Sequence, residues 1–431
     1  MQNVGEETAF AGEDESARAT EEGDDNRHLS LLHLALRIRC RRNMTSTSES
    51  LILLGDHVIH QLLINLASDD ILRFRDALAK CLVQTSLEQE RAYQPEASIV
   101  NRPEGQKVLF RPFTSPTSMG VKIIATPKAV PTPDGLKTPA LCGVITLCDA
   151  SGRPTGILDG KAITGYRTSL SAIVPFMWRD DVSSIVVFGA GMQALWHVRL
   201  ALALRGSEIN TVTIVNRSFG RAKSIVSQLT EENAQLWNSQ TAIDCLDPSS
   251  DMYEDRLRTL VRDATVIFCT TPSVTPLFPA GYLTETRDFG HSHQLPLITG
   301  VGSWQASMCE IHPDIIHHAI KKSSAIPFSH GNTDVQQKPS GGAVITDDRA
   351  ASMMHAGEFL QANLTESDIL GIGDLISRQE SGTLSPEVQR WMASGFLVYK
   401  SIGVSMTDLV ISEMMLQLAK EKKVGKVVDG L

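Results

Sequence analysis

Two short segments of this chain carry residue types suited to holding phosphate. The apolar run Ile185-Val186-Val187-Phe188 passes into Gly189-Ala190-Gly191-Met192-Gln193-Ala194 and then into a helical pattern. The glycines let the backbone turn tightly and approach a pyrophosphate, and the small Ala194 lets the helix pack on the strand. Unpaired N–H groups at the helix start, from Met192 and Gln193 onward, then face the phosphate charge. The second segment, Asn216-Arg217-Ser218, follows the apolar run 211–215. It lies about 20 residues past the loop, where a ribose-reading residue belongs. A carboxylate there would repel a 2′-phosphate, whereas Arg217 can grip one through two parallel hydrogen bonds. The expected cofactor is NADP(H), with NAD(H) as the alternative. A third apolar run, residues 264–269, ends in Thr270-Thr271-Pro272-Ser273, which suits the carboxyl edge of the same sheet.

The elements that must position these segments are legible from periodicity. Residues 56–87 place Val58, Leu62, Leu63 and Leu66, then Ile71, Phe74, Ala77, Leu78 and Cys81, at helical spacing. Residues 108–150 switch to strand patterns at 121–125 and 143–148, with a hairpin turn at Asp149-Ala150-Ser151-Gly152. Residues 127–139 read as loop, and a helix begins near Thr164. After Thr271 come an irregular stretch at 284–296 and another at 322–342. Helical patterns at 352–360 and 406–422 read as a tail.

At 431 residues the chain is long enough for two domains with full cores. A net charge of -9 and the lack of a basic block exclude a nucleic-acid binder. No apolar run reaches the length that spans a bilayer. The seven cysteines are odd in number and include no Cys-x-x-Cys pair, which points to a reducing, cytoplasmic setting. No histidine pair has metal-ligand spacing, so no metal is expected. The first 27 residues hold nine acidic and two basic side chains, and residues 1–43 are expected to be a disordered extension.

Several segments in order resemble the ornithine cyclodeaminase/mu-crystallin family, and the match runs from about Leu51 to the C-terminus. They are Gly120-Val121-Lys122, Ile163-Thr164-Gly165-Tyr166-Arg167-Thr168, the glycine loop with His197, Thr270-Thr271-Pro272-Ser273, Val301-Gly302-Ser303, and Tyr399-Lys400-Ser401-Ile402-Gly403 with Asp408. The resemblance implies an α/β fold: a Rossmann dinucleotide-binding domain (171–403) joined to a smaller α/β domain for substrate binding and dimerisation. That smaller domain is 44–170, completed by 404–431. It implies a homodimer acting on a small amino or imino acid. Arg167 is then the substrate-carboxylate clamp and Lys122 the group that touches the substrate and supplies or relays a proton. Thr168, Thr270, Thr271 and Val301 join the cofactor site, and Ile402 and Gly403 lie along the nicotinamide.

The chain departs from the family pattern at two places. Where ornithine cyclodeaminases carry an aspartate two residues after the glycine of the Val-Gly pair, this chain has Trp304, whose indole cannot take up a proton at neutral pH. That favours a reductase of a cyclic α-imino acid over ornithine cyclisation, and makes Trp304 a candidate pocket wall. The arginine that often follows the Gln-Pro pair is also missing after Gln94-Pro95; Arg102 or Arg111 is the candidate replacement, with Arg111 in a strand-like stretch before Lys122. The alternatives are an ornithine cyclodeaminase with bound NAD and a crystallin-like NADPH-binding protein with little catalysis. His197 is read as a packing or capping residue, and Asp408 as a cap or anchor of the C-terminal helix.

Overall fold

Alternation and helical periodicity resolve into two sheets in a computed structural model. It describes residues 50–126, 130–132, 135–137, 141–285, 295–302, 305–321 and 342–429. The extension 1–43, Trp304, and most of the two irregular stretches (286–294 and 322–341) lie outside the described residues. Residues from Ser50 onward belong to one compact unit.

The strands of the first half are β1 (Leu51–Leu54), β2 (Ser98–Asn101), β3 (Lys107–Thr114), β4 (Ser118–Thr126), β5 (Val130–Thr132), β6 (Gly135–Lys137), β7 (Cys142–Asp149) and β8 (Pro154–Asp159). Residues 127–139 are thus not plain loop, because β5 and β6 pair antiparallel. The second half contributes β9 (Ser184–Phe188), β10 (Thr211–Val215), β11 (Ala242–Cys245), β12 (Val266–Cys269), β13 (Leu297–Gly300), β14 (Gly342–Thr346), β15 (Ile369–Gly371), β16 (Phe396–Lys400) and β17 (Lys426–Val428).

One seven-stranded sheet runs β17-β1-β8-β7-β4-β3-β2. Helices α1 (Asp56–Ile64), α2 (Ser68–Leu87) and α3 (Gly160–Phe176), with the C-terminal helix Ser405–Lys422, pack around it. Side chains alternate across its strands. Register places Arg111 opposite Lys122 and Lys122 opposite Ile145, all on the inner face. The outer face carries Val108, Phe110, Val121, Ile123, Val144 and Ile157, none of them buried; Phe110 is 38% and Ile157 36% exposed.

The other sheet is parallel, in the order β11-β10-β9-β12-β13-β16-β14-β15. The strand order reverses between β9 and β12, which opens the crevice where a doubly wound sheet binds ligand. β14, β15 and β16 complete this sheet, and β16 inserts between β13 and β14. Helix α4 (Met192–Arg205) follows β9. Helix α3 contacts both sheets and is buried along almost its whole length. It begins at Gly160, one turn before the expected Thr164, because Asp159 caps it by accepting from Lys161 N at 2.9 Å and Ala162 N at 3.0 Å.

Candidate active site

Lys122 projects inward from the middle of β4, and Arg167 from the buried core of α3. The first turn of the C-terminal helix brings Asp408 between them. Lys122 Nζ lies 2.6 Å from Asp408 Oδ2, and Arg167 Nε donates to Asp408 Oδ1 at 3.0 Å. Relative exposures of 1%, 5% and 0% for Lys122, Arg167 and Asp408 put this cluster out of bulk water. Lys122 also donates to Thr164 Oγ1 at 3.3 Å. Desolvation is the main force on the lysine, and Arg167 and Arg111 add to it; against the pull of Asp408 they bring it down to about 7. Burial alone would raise the pKa of Asp408, but the field of Arg167, Lys122 and Arg111 outweighs it and holds the carboxyl below its ordinary range.

Arg111 approaches from β3, and its Nη1 donates to the Gly403 carbonyl at 3.0 Å. Gly403 sits at φ +87, and a Cβ placed there would meet Arg167 Nη1 at 2.8 Å and Arg111 Nη1 at 3.3 Å. Both guanidinium groups therefore close on one backbone position that tolerates only glycine. Asp347, at the end of β14, holds that turn: its carboxylate accepts from Ser401 Oγ, Ile402 N and Gly403 N, each at 2.8 Å. A cavity of about 380 Å³ opens over Arg111, Ile402 and Gly403, with Ile99, Leu109 and Met354 among its apolar walls. Arg91 lies at the same cavity and pairs with Asp348 at 2.8 Å.

The loop after β9 has the shape a pyrophosphate needs. Gly189 adopts φ +118 against Thr270, whose Oγ1 would sit 2.6 Å from an added Cβ, and nothing lies within 4 Å of one at Gly191. Gly191 precedes α4 without a side-chain cap, so the first N–H groups of that helix are left for a ligand. Thr270 closes the crevice by donating through Oγ1 to Phe188 O at 2.8 Å. Asn216 is half-buried and bonds Ser218 O at 2.9 Å, while Arg217 and Ser218 are exposed beyond β10. Gln193 turns back to α3, donating to Thr164 O at 3.3 Å. Thr168 is buried within α3, one residue past Arg167.

Beneath this edge lies a second buried charge cluster. Glu310 accepts from Thr271 N at 2.6 Å, Thr271 Oγ1 at 3.0 Å, Val301 N at 3.0 Å and Gly302 N at 2.7 Å. Lys400 Nζ bonds Glu358 Oε1 and Gly302 O, both at 2.8 Å, and stands 4.0 Å from Glu310. All three charged residues are fully buried. Burial raises the pKa of Glu310, against the pull of Lys400 and of the backbone N–H groups.

Lys122, Arg167 and Arg111 are thus brought together, as are Gly189, Gly191 and Thr270 at the crevice. Asp408 does not cap the C-terminal helix, whose N-cap is Val404; its side chain anchors that helix to Lys122 and Arg167. Sequence reasoning missed Asp347, Glu310, Glu358 and Lys400 as functional supports. The one available signal is a charged residue ending an apolar run, as in Val344-Ile345-Thr346-Asp347 and Phe396-Leu397-Val398-Tyr399-Lys400. His197 is a core residue, with Nδ1 2.8 Å from both Ser169 Oγ and Gln193 O; desolvation lowers its pKa to about 4, so the ring is neutral.

No family model matches the chain. It is 23% identical over 323 residues to a Δ1-pyrroline-2-carboxylate reductase of Bacillus cereus, covering 72% of this chain and 81% of the relative. It is 25% identical over 316 residues to an uncharacterized cyclodeaminase of Dictyostelium discoideum, covering 72% and 77%. The fold is similar to that of the Thermococcus litoralis Δ1-pyrroline-2-carboxylate reductase solved with NADH and L-proline. The TM-score is 0.63 at 15% identity, over 87% of this chain and 99% of that one.

Proposed function

We propose that this chain, which belongs to the ornithine cyclodeaminase/mu-crystallin family, reduces a cyclic α-imino acid with NADPH. The observation that carries this reading is the buried Lys122–Asp408–Arg167 cluster beside a crevice shaped for a dinucleotide. The Nη1/Nη2 edge of Arg167 has no hydrogen-bond partner among the described residues and suits a substrate carboxylate, with Arg111 as the second guanidinium. Lys122, brought down to about 7, can give its proton to an imine nitrogen near neutral pH. When bound, the dihydronicotinamide supplies the hydride for the imine carbon. The donor form of Lys122 is the ammonium, so the rate of reduction should decline as pH rises through about 7.

Four finer points belong to the same proposal. Arg217, exposed beyond β10, is suited to a 2′-phosphate and favours NADPH over NADH. Trp304, which lies outside the described residues, stands where the family's cyclodeaminases carry an acid and so favours reduction. The outer face of the seven-stranded sheet, with Phe110, Val121, Ile123 and Val144, suits a second copy of the chain and hence a homodimer. A cytoplasmic setting rests on the scattered cysteines alone.

The test follows NADPH absorbance with Δ1-pyrroline-2-carboxylate and Δ1-piperideine-2-carboxylate, beside an assay of ammonia from ornithine with NAD. Oxidation of NADPH by either imine is expected. Ammonia from ornithine with both imines inert would establish the cyclodeaminase, and inertness in both assays with tight NADPH binding would establish a binding protein. Light scattering checks the dimer.

A further inference from the structure

We infer that Asp408 is a positioning residue for imino-acid reduction, one buried carboxylate that aims both the proton donor and the carboxylate clamp. The inference rests on the function proposed above. A guanidinium presents two edges to a carboxylate, one through Nε and one through the paired Nη atoms. Asp408 occupies the Nε edge of Arg167 at 3.0 Å. The Nη edge is thereby turned toward Gly403, where an added Cβ would lie 2.8 Å from Nη1 and 3.1 Å from Nη2. The other carboxylate oxygen lies 2.6 Å from Lys122 Nζ, fixing the ammonium at the inner face of β4. Neither cation can swing away without leaving a fully buried carboxylate underpaired.

The charges around Lys122 come from every packed element. Arg111 approaches from β3, Arg167 from α3 and Asp408 from the C-terminal helix. Cys81, facing Asp408 from α2, is neutral because burial pushes its thiol up to about 12. The cluster thus holds three cationic groups around one carboxylate, and the Asp347 carboxylate acts on Arg111 from the Gly403 turn. Asp408 stabilises the ammonium of Lys122, and the two arginines oppose it. Removing its charge should therefore lower the Lys122 midpoint and release Arg167.

The decisive variant is Asp408→Asn, read in two ways. ¹³C NMR of ε-¹³C-lysine-labelled cofactor-free protein, assigned with Lys122→Met, gives the Lys122 midpoint directly. The pH profile of NADPH oxidation by Δ1-pyrroline-2-carboxylate gives KM and kcat. The expected result is a midpoint lower by about one unit or more, with KM raised about tenfold as Arg167 loses its anchor. A midpoint and KM that both stay at wild-type values, with only the melting temperature lowered, would reduce Asp408 to a structural residue. If the Asn variant does not fold, Asp408→Glu keeps the charge but displaces it. That variant should leave the midpoint within a few tenths of a unit and still raise KM, and an unchanged KM overturns the inference. Wild-type protein that ignores the imine would sink the reductase reading instead, while the NMR midpoints still decide whether Asp408 holds Lys122.

Discussion

The two charge clusters are both largely buried but balanced in opposite directions. At the substrate side, Lys122, Arg167 and Arg111 surround the single carboxylate of Asp408. Beneath the cofactor edge, Glu310 and Glu358 surround the single ammonium of Lys400. The second cluster offsets its excess negative charge internally, because Glu310 takes the backbone N–H groups of Thr271, Val301 and Gly302. The first leaves Arg111 lining a cavity and the Nη edge of Arg167 without a hydrogen-bond partner among the described residues. Burial without full pairing is costly, so the imbalance marks where a ligand anion belongs, whereas the backbone-paired cluster is a brace for two loops.

The sharpest way to break this contrast is to remove one cation from each cluster. Lys122→Ala should lower kcat with a cyclic imino acid by about 10²–10⁴-fold, the usual worth of a positioned proton donor. Its fold should persist, because Arg167 still pairs with Asp408. Steady-state kinetics beside a urea midpoint would check both halves, and near-wild-type kcat would remove Lys122 from the chemistry. Lys400→Met should act the other way, costing about 3–5 kcal/mol of stability by removing the one cation beside two buried carboxylates. Denaturant unfolding measures that loss, while turnover per folded molecule should change far less than in Lys122→Ala. A loss of turnover at unchanged stability would mean that the brace is itself catalytic machinery. The smallest expected effect lies outside both clusters. Arg217→Ala should weaken NADPH by about ten- to a hundredfold and leave NADH unaltered; equal weakening of both cofactors in a fluorescence titration would remove the 2′-phosphate role.

The phosphate loop was readable because its requirements are local. Gly189 needs φ +118 and a neighbour as close as Thr270, and Gly191 needs open space ahead of α4. The helices of residues 56–87 and the strand carrying Lys122 were legible for a similar reason, since one buried face imposes a period. The end of the parallel sheet was not. β14, β15 and β16 are short strands buried on both faces, so they lack the alternation that distinguishes a strand. The turn held by Asp347 was equally hidden, because its three bonds reach residues more than fifty positions away.

By itself the sequence determined the dinucleotide loop, the helical and strand segments that flank it, and which side chains could clamp a carboxylate or move a proton. Each of those is a matter of residue type, or of backbone freedom over a few neighbours. Only the tertiary structure decided which carboxylate pairs with Arg167. Arg167 and Asp408 stand 241 positions apart, and Asp408 looks locally like any acid in the first turn of a helix. Its partners were chosen by the packing of β4, α3 and the C-terminal helix. In that dry interior a charge must find its counter-ion wherever the fold brings one within reach.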